Sequence, residues 1–148
     1  MGIGGAASYF AASGSISVIA GGGSVWGMNA FQRGNVIEKA LGGMCNNFPT
    51  IDKFAKGSIT SIKSLNTFAS SYQRGNTIYN TVMGYANTLS RFTTTRWGGI
   101  TVNVNSTTKR ILELALPSNV TSAQMSQVNR AIGDASRIGV NLVVKHIK

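Results

Sequence analysis

The chain has 148 residues, with fourteen Lys and Arg against four Asp and Glu, a formal net charge of +10 and one cysteine. That length suits one domain with a substantial core, and the charge predicts attraction to nucleic acid, an anionic membrane surface or an acidic protein, a composition shared with ribosomal and DNA-packaging proteins. The lone Cys45 excludes an intrachain disulfide and a cysteine-rich zinc site, while the scatter of basic residues argues against a disordered basic tail and for a folded surface that gathers charge in space.

Residues 1–32 carry no charged side chain. Ala6 to Ala20 is small and apolar and runs into Gly21-Gly22-Gly23-Ser24. The segment lacks the basic start and cleavage pattern of a secretory signal, and it is too rich in Gly and Ser for a membrane span of ~20 apolar residues. Two readings stay open: a poorly ordered leader or piece of a larger chain, and a segment that helps the domain touch or cross a membrane. Residues 33–148 read as a compact α/β domain.

Within it, Asn35 to Met44 predicts a short helix, with Val36, Ile37, Ala40, Leu41 and Met44 as its apolar stripe and Gly42-Gly43 weakening its end. Cys45 follows as a small buried residue. Thr50 to Phe54 and Ser58 to Leu65 predict two strands joined at Lys56-Gly57, and alternation in the second places Ser61 and Lys63 on one side. Asn76 to Phe92 is the clearest helix, with Ile78, Val82, Tyr85, Leu89 and Phe92 in one stripe. Trp97 to Val104 and Lys109 to Leu116 read as strands around a polar turn, Asn103 to Thr108. Thr121 and Gln124 form a capping box that opens the last helix, whose inner face is Met125, Val128, Ile132 and Ala135. Gly139 ends that helix, and Val140 to Val144 is an apolar strand, so the last three elements make a right-handed parallel crossover.

Two of the scarce acids stand near a lysine-bearing strand. Glu38 lies on the first helix, Asp52 on the first strand, and Ser61-Ile62-Lys63 on the second. Cleaving a phosphodiester needs charge stabilisation on the attacked group and an activated water. A divalent ion held by carboxylates supplies both, and a nearby lysine adds positive charge. Lys63 suits that task because its ammonium is compact. Asp52 is the central ligand of such a site, Glu38 a second ligand, and Ser61 acts through water where related enzymes carry a carboxylate. The plain alternative has Asp52 ending a turn, Glu38 solvated, and Lys63 as one charge among fourteen.

The remaining candidates weigh less. Glu113 sits among apolar strand residues, where a carboxylate needs a partner or a rim; it reads as an arginine salt bridge or a further metal-shell group. Asp134 reads as an ordinary helix-surface charge. His146, the single histidine, lies too near the carboxyl terminus for a general base. Tyr85 and Trp97 default to core packing, though with Tyr72 and Tyr79 they offer faces for stacking bases. Arg74, Arg91, Arg96, Lys109 and Arg110 fall at element ends and turns and are candidates for phosphate contacts.

The runs Phe48-Pro49-Thr50-Ile51-Asp52-Lys53-Phe54, Thr60-Ser61-Ile62-Lys63-Ser64-Leu65-Asn66 and Ser71-Tyr72-Gln73 resemble the C-terminal toxin domains of contact-dependent growth inhibition proteins (CdiA type). The helix from Ile78-Tyr79 to Phe92, the run Arg110 to Pro117 and the closing Gly139-Val140 extend the likeness over residues 33 to 148. The resemblance implies a restriction-endonuclease-like fold, related to PD-(D/E)xK nucleases, with a mixed sheet flanked by helices. It also implies a monomeric, metal-dependent endonuclease toxin using Zn2+ or Mg2+, the zinc coming from the family and Mg2+ from an oxygen-only donor set. Carried over by motif, Asp52 is the acidic position, Ser61 and Lys63 the strand pair, and Glu38 the helix carboxylate. The subgroup's motifs favour DNA; a tRNA-cleaving toxin of the same fold and a non-catalytic basic binding module are the alternatives. Such a toxin is exported on a large surface protein, contacts a membrane during import, acts in the cytoplasm of the target bacterium, and is neutralised by an acidic immunity protein that covers either the cleft or the strand pair near Asn103 to Thr108.

Overall fold

The computed structural model describes residues 19–20, 23–44 and 47–148. Strands β1 (Ile19–Ala20) and β2 (Gly23–Ser24) pair antiparallel, and a 3-10 turn over Val25–Gly27 follows. Helix α1 (Ala30–Ala40) starts earlier than its apolar stripe suggests, because the Asn29 side chain caps it by accepting from the Gln32 N–H at 2.9 Å. The border drawn after residue 32 falls inside this helix. Gly42, at φ +85°, donates to the Lys39 carbonyl at 3.2 Å, and Gly43 donates to the Glu38 carbonyl at 2.7 Å. That is a Schellman ending, so the helix stops at Ala40 and not at Met44. Cys45 and residues 1–18, 21 and 22 of the leader lie outside the described residues.

Thr50 sits at φ +68°, a left-handed conformation that breaks the expected strand from Thr50 to Phe54. Strand β3 is therefore only Lys53–Ala55. It turns at Gly57 (φ +83°) into β4 (Ser58–Ser64) and pairs with no more of β4 than Ser58 to Thr60. The outer edge of β4 from Ser61 onward is left without a strand beside it.

Helix α2 (Thr77–Ser90) buries Ile78, Val82, Ala86 and Leu89. Tyr85, expected in the core stripe, is half-buried at its fringe. The strand expected from Trp97 to Val104 is instead a hairpin of β5 (Thr95–Trp97) and β6 (Ile100–Val102). Gly98 and Gly99, at φ +56° and +79°, supply the two positive φ angles that a tight hairpin turn requires. Strand β7 (Lys109–Pro117) consequently has no hairpin partner at Asn103 to Thr108 and runs parallel to β4.

Helix α3 (Ser122–Arg137) begins with the expected capping box, Thr121 accepting from the Gln124 N–H at 3.1 Å and Gln124 Oε1 accepting from the Thr121 N–H at 3.2 Å. Gly139, at φ +82°, follows it, and β8 (Val140–Ile147) runs parallel to β7 and further than the expected Val144. The mixed sheet has the order β3-β4-β7-β8. One face, with Ile59, Leu112, Leu114, Leu142 and Val144, forms the main core with α2 and α3. On the other face, Ile62, Ala115 and Ile147 bury Ile37 of α1 and Val25 in a second, smaller core. The expected α/β sheet flanked by helices is thus observed. Among the described residues no helix is long and apolar enough to cross a membrane.

Candidate active site

The short β3 creates the site. Asp52 precedes it, and its backbone N–H still reaches the Thr60 carbonyl at 2.8 Å. One step further along β4, the Ile62 N–H donates to Asp52 Oδ2 at 2.6 Å. The carboxylate has taken the place of the next backbone carbonyl, so it is held in line with the open edge of β4.

Glu38 arrives from the last turn of α1, where Gly43 clamps its backbone carbonyl. A Cβ on Gly43 would lie 2.9 Å from that oxygen, so the close approach needs glycine. The Glu38 carboxyl meets that of Asp52. A hydrogen bond between the two, burial and the Asp52 charge push its pKa up to about 7, against a smaller opposing pull from Lys63. Two carboxyls this close resist ionising together. Lys63 points its ammonium over the Tyr85 ring, 5.5 Å from its centre. Ser61 shares the Lys63 face of β4 and is buried. Glu38 and Asp52 border a cleft of about 230 Å³ whose wall includes Asn35, Lys39, Asn47 and Phe48.

A divalent ion fits this pair. Two carboxylates that repel one another are a natural seat for it, and hard cations are commonly bound by one or two carboxylates, with phosphate and water completing the shell. Among the described residues no third His, Cys, Asp or Glu joins them, and the two donors they present are carboxylate oxygens.

The other candidates are dispersed. Glu113, buried on β7, lies 3.1 Å from the Lys53 ammonium as an ion pair with lysine and not the expected arginine; the Lys53 hydrogen bond goes to the Leu41 carbonyl at 2.8 Å. Asp134 is more than a surface charge, for it accepts from the Tyr79 hydroxyl and pairs with Arg137 at 2.8 Å. His146 lies at the far end of β8 with Nδ1 buried and without a hydrogen bond. Arg74, Arg91, Arg96 and Lys109 are exposed. Arg110 is engaged internally, donating to the Leu89 carbonyl at 3.1 Å and the Phe92 carbonyl at 2.9 Å, where it closes the end of α2. Lys109 pairs in register with Ser58, and Leu114 with Lys63. Lys109 and Arg110 are therefore roughly 13–17 Å along the sheet from Lys63, at ~3.3 Å per residue.

Arg33 went unremarked in the sequence. It is 9% exposed, lies 5.6 Å over the Trp26 ring and reaches Ser64 Oγ at 3.4 Å. Its place in the i−4 position to Ile37 was the available signal, outweighed by its charge. Tyr85 stands at the fringe of the core; burial, then Tyr72, raise its pKa, and Arg33 pulls it back.

Residues 33–145 match a family described as CDI toxin restriction endonuclease-like domain. The chain is 33% identical over 105 residues to Deoxyribonuclease CdiA of Yersinia pseudotuberculosis serotype O:3 (strain YPIII), covering 69% of this chain and 10% of that protein. It is 25% identical over 136 residues to Deoxyribonuclease CdiA-o11 of Escherichia coli O157:H7 (strain EC869), covering 85% of this chain and 36% of that one. The chain thus spans only a small part of these relatives. Among solved structures it is similar to the CdiA-CT/CdiI toxin and immunity complex from Yersinia pseudotuberculosis, with a TM-score of 0.64 and 29% identity over 75% of this chain and 98% of that one. The fold expected from the motif likeness, restriction-endonuclease-like α/β, is borne out.

Proposed function

Because the chain belongs to the CDI toxin restriction endonuclease-like family, we propose that it is a metal-dependent endonuclease toxin that cleaves DNA in a target bacterium. The observation that carries this reading is the Glu38–Asp52 carboxyl pair at the uncovered edge of β4, with the Lys63 charge beside it. Glu38 and Asp52 would hold the ion, Mg2+ by the oxygen-only donors or Zn2+ by the family likeness. When bound, a divalent ion offsets charge on a phosphoryl oxygen and lowers the pKa of water.

The chain's own residues do the rest. The Ile62 N–H keeps Asp52 aligned, the Gly43 clamp keeps Glu38 facing it, and Lys63 brings positive charge to the attacked phosphate. Ser61 acts through water. Arg74, Arg91, Arg96 and Lys109 are surface points for the phosphate backbone.

Two relatives carry the name deoxyribonuclease, which supports DNA over tRNA. The similar solved structure is a toxin and immunity complex, which supports a cognate immunity protein, acidic in view of the +10 charge. The greater length of the relatives supports this chain as the toxin unit of a larger surface protein, delivered to the target cytoplasm. The test is nicking of supercoiled plasmid by the full chain with Mg2+, Mn2+ or Zn2+, with EDTA and tRNA as controls. DNA left intact with every metal, or Asp52→Ala and Lys63→Ala cutting like the wild type, refutes the proposal.

A further inference from the structure

Arg33 is a buried cation without a carboxylate. Among the described residues the two ion pairs are Lys53–Glu113 and Arg137–Asp134, and neither involves it. Its guanidinium is nonetheless built into place. It stacks on Trp26, whose indole N–H is itself tied to the Ile147 carbonyl at 2.7 Å. Nη1 donates to the Met28 carbonyl at 3.2 Å and Nε to Ser64 Oγ at 3.4 Å, which leaves Nη2 without a protein acceptor among the described residues. Desolvating a guanidinium and orienting it on three sides without an anion is a cost that a bound anion offsets.

Its position suggests which anion. Ser64 ends β4 beyond the reach of β3 and follows Lys63 in the chain. Lys63 lies over the Tyr85 ring of α2, while Arg33 comes from α1 on the other side of the sheet to Ser64, the next residue along the strand, and its charge opposes the rise in the Tyr85 pKa. Two cations from opposite faces therefore flank one stretch of the open edge that also carries Asp52, with the Tyr85 phenol beside Lys63. Arg offers a planar fork suited to phosphate oxygens, and a tyrosine hydroxyl adds a neutral donor.

We propose that Arg33 and Tyr85 form a second phosphate site, which grips the phosphate next to the scissile one and sets the cleaved strand against the Glu38–Asp52 pair. Arg33 is here a positioning residue. The inference rests on the nuclease reading, and its test separates the two by measuring binding without cleavage.

The full chain, in EDTA, is titrated with a fluorescein-labelled DNA duplex over a range of salt concentrations. Arg33→Met, which keeps a flexible side chain against Trp26, is expected to flatten the slope of log Kobs against log salt by about 0.9, one phosphate's worth. Arg33→Lys is expected to keep the slope, and Tyr85→Phe to weaken binding several-fold with the slope unchanged. A purely structural arginine would leave the slope alone, so an unchanged slope in Arg33→Met overturns the site. Should that variant not fold, the wild type decides: the Arg33 Nε–H resonance is expected to shift saturably with inorganic phosphate. No shift, or an equal shift with acetate, which would point to a protein carboxylate instead, overturns the proposal. A chain that shows these responses but cuts nothing with any divalent ion refutes the nuclease and keeps the phosphate site.

Discussion

Replacing Asp52 with Asn probes the acid pair through stability as well as activity. The amide oxygen of Asn still accepts from the Ile62 N–H, so the edge of β4 is preserved, while the charge and the acidic partner of Glu38 are gone. In the wild type Glu38 is raised from 4.5 to about 7. A raised acid stabilises the fold fully below its unfolded pKa and loses that contribution as pH climbs through the folded value. The window is therefore pH 4.5 to about 7. At 1.36 kcal/mol per pH unit the shift corresponds to about 3 kcal/mol, and because Glu38 is only part-buried, solvent screening reduces the expected loss to about 1–2 kcal/mol. Urea denaturation in EDTA at several pH values measures it. The wild type is expected to lose about 1–2 kcal/mol more than Asp52→Asn between pH 4.5 and 8, and Mg2+ is expected to restore much of the difference at pH 8. Parallel stability curves for the two proteins would refute the pairing of Glu38 with Asp52.

Three further substitutions separate site from scaffold. Lys53→Met strands the buried Glu113 carboxylate and, with the Lys53 side chain partly exposed, should cost about 2 kcal/mol by urea denaturation, whereas Lys53→Met with Glu113→Leu should recover most of it. Gly43→Ala drives a Cβ against the Glu38 carbonyl; it should lower stability by about 1–2 kcal/mol and plasmid nicking by about 10- to 100-fold, a ratio that a wholly silent effect on nicking would contradict. Arg110→Met loses two hydrogen bonds at the end of α2 and should destabilise by about 1–2 kcal/mol, with the salt dependence of DNA binding unchanged.

Features written in short stretches of sequence were legible. The Thr121–Gln124 capping box, the Gly139 ending, the extent of β4 and the placing of Ser61 beside Lys63 follow from local periodicity and end chemistry. So does the proximity of Glu38, Asp52 and Lys63, which lie on or directly before three consecutive elements. Where a local cue conflicted with a broader one, the reading failed. Asn29 caps α1 inside an uncharged stretch read as leader, and Thr50 adopts a left-handed conformation that no β-branched residue advertises. Gly98-Gly99 is a turn signal that was outweighed by the polar run from Asn103 to Thr108. Long-range pairing was the hardest to see: β7 beside β4, Lys53 against Glu113, and Arg33 against Ser64 depend on the assembled sheet and have no signature in either segment.

Helix α1 docks through its own small core, in which Val25, Ile37, Ile62, Ala115 and Ile147 are buried, and it carries both Glu38 and Arg33. The larger core of α2, α3 and the sheet does not need it. Local opening is easiest where the buried contacts are few, so release of this one helix would remove the proposed metal ligand Glu38 and the proposed phosphate grip Arg33 together, while Asp52, Ser61 and Lys63 stay with the sheet. Such a form would keep almost all of the fold and lack half of the proposed site. A chain refolding after passage through an envelope would regain its sheet before it became dangerous, and the final step to activity would be the seating of a single helix.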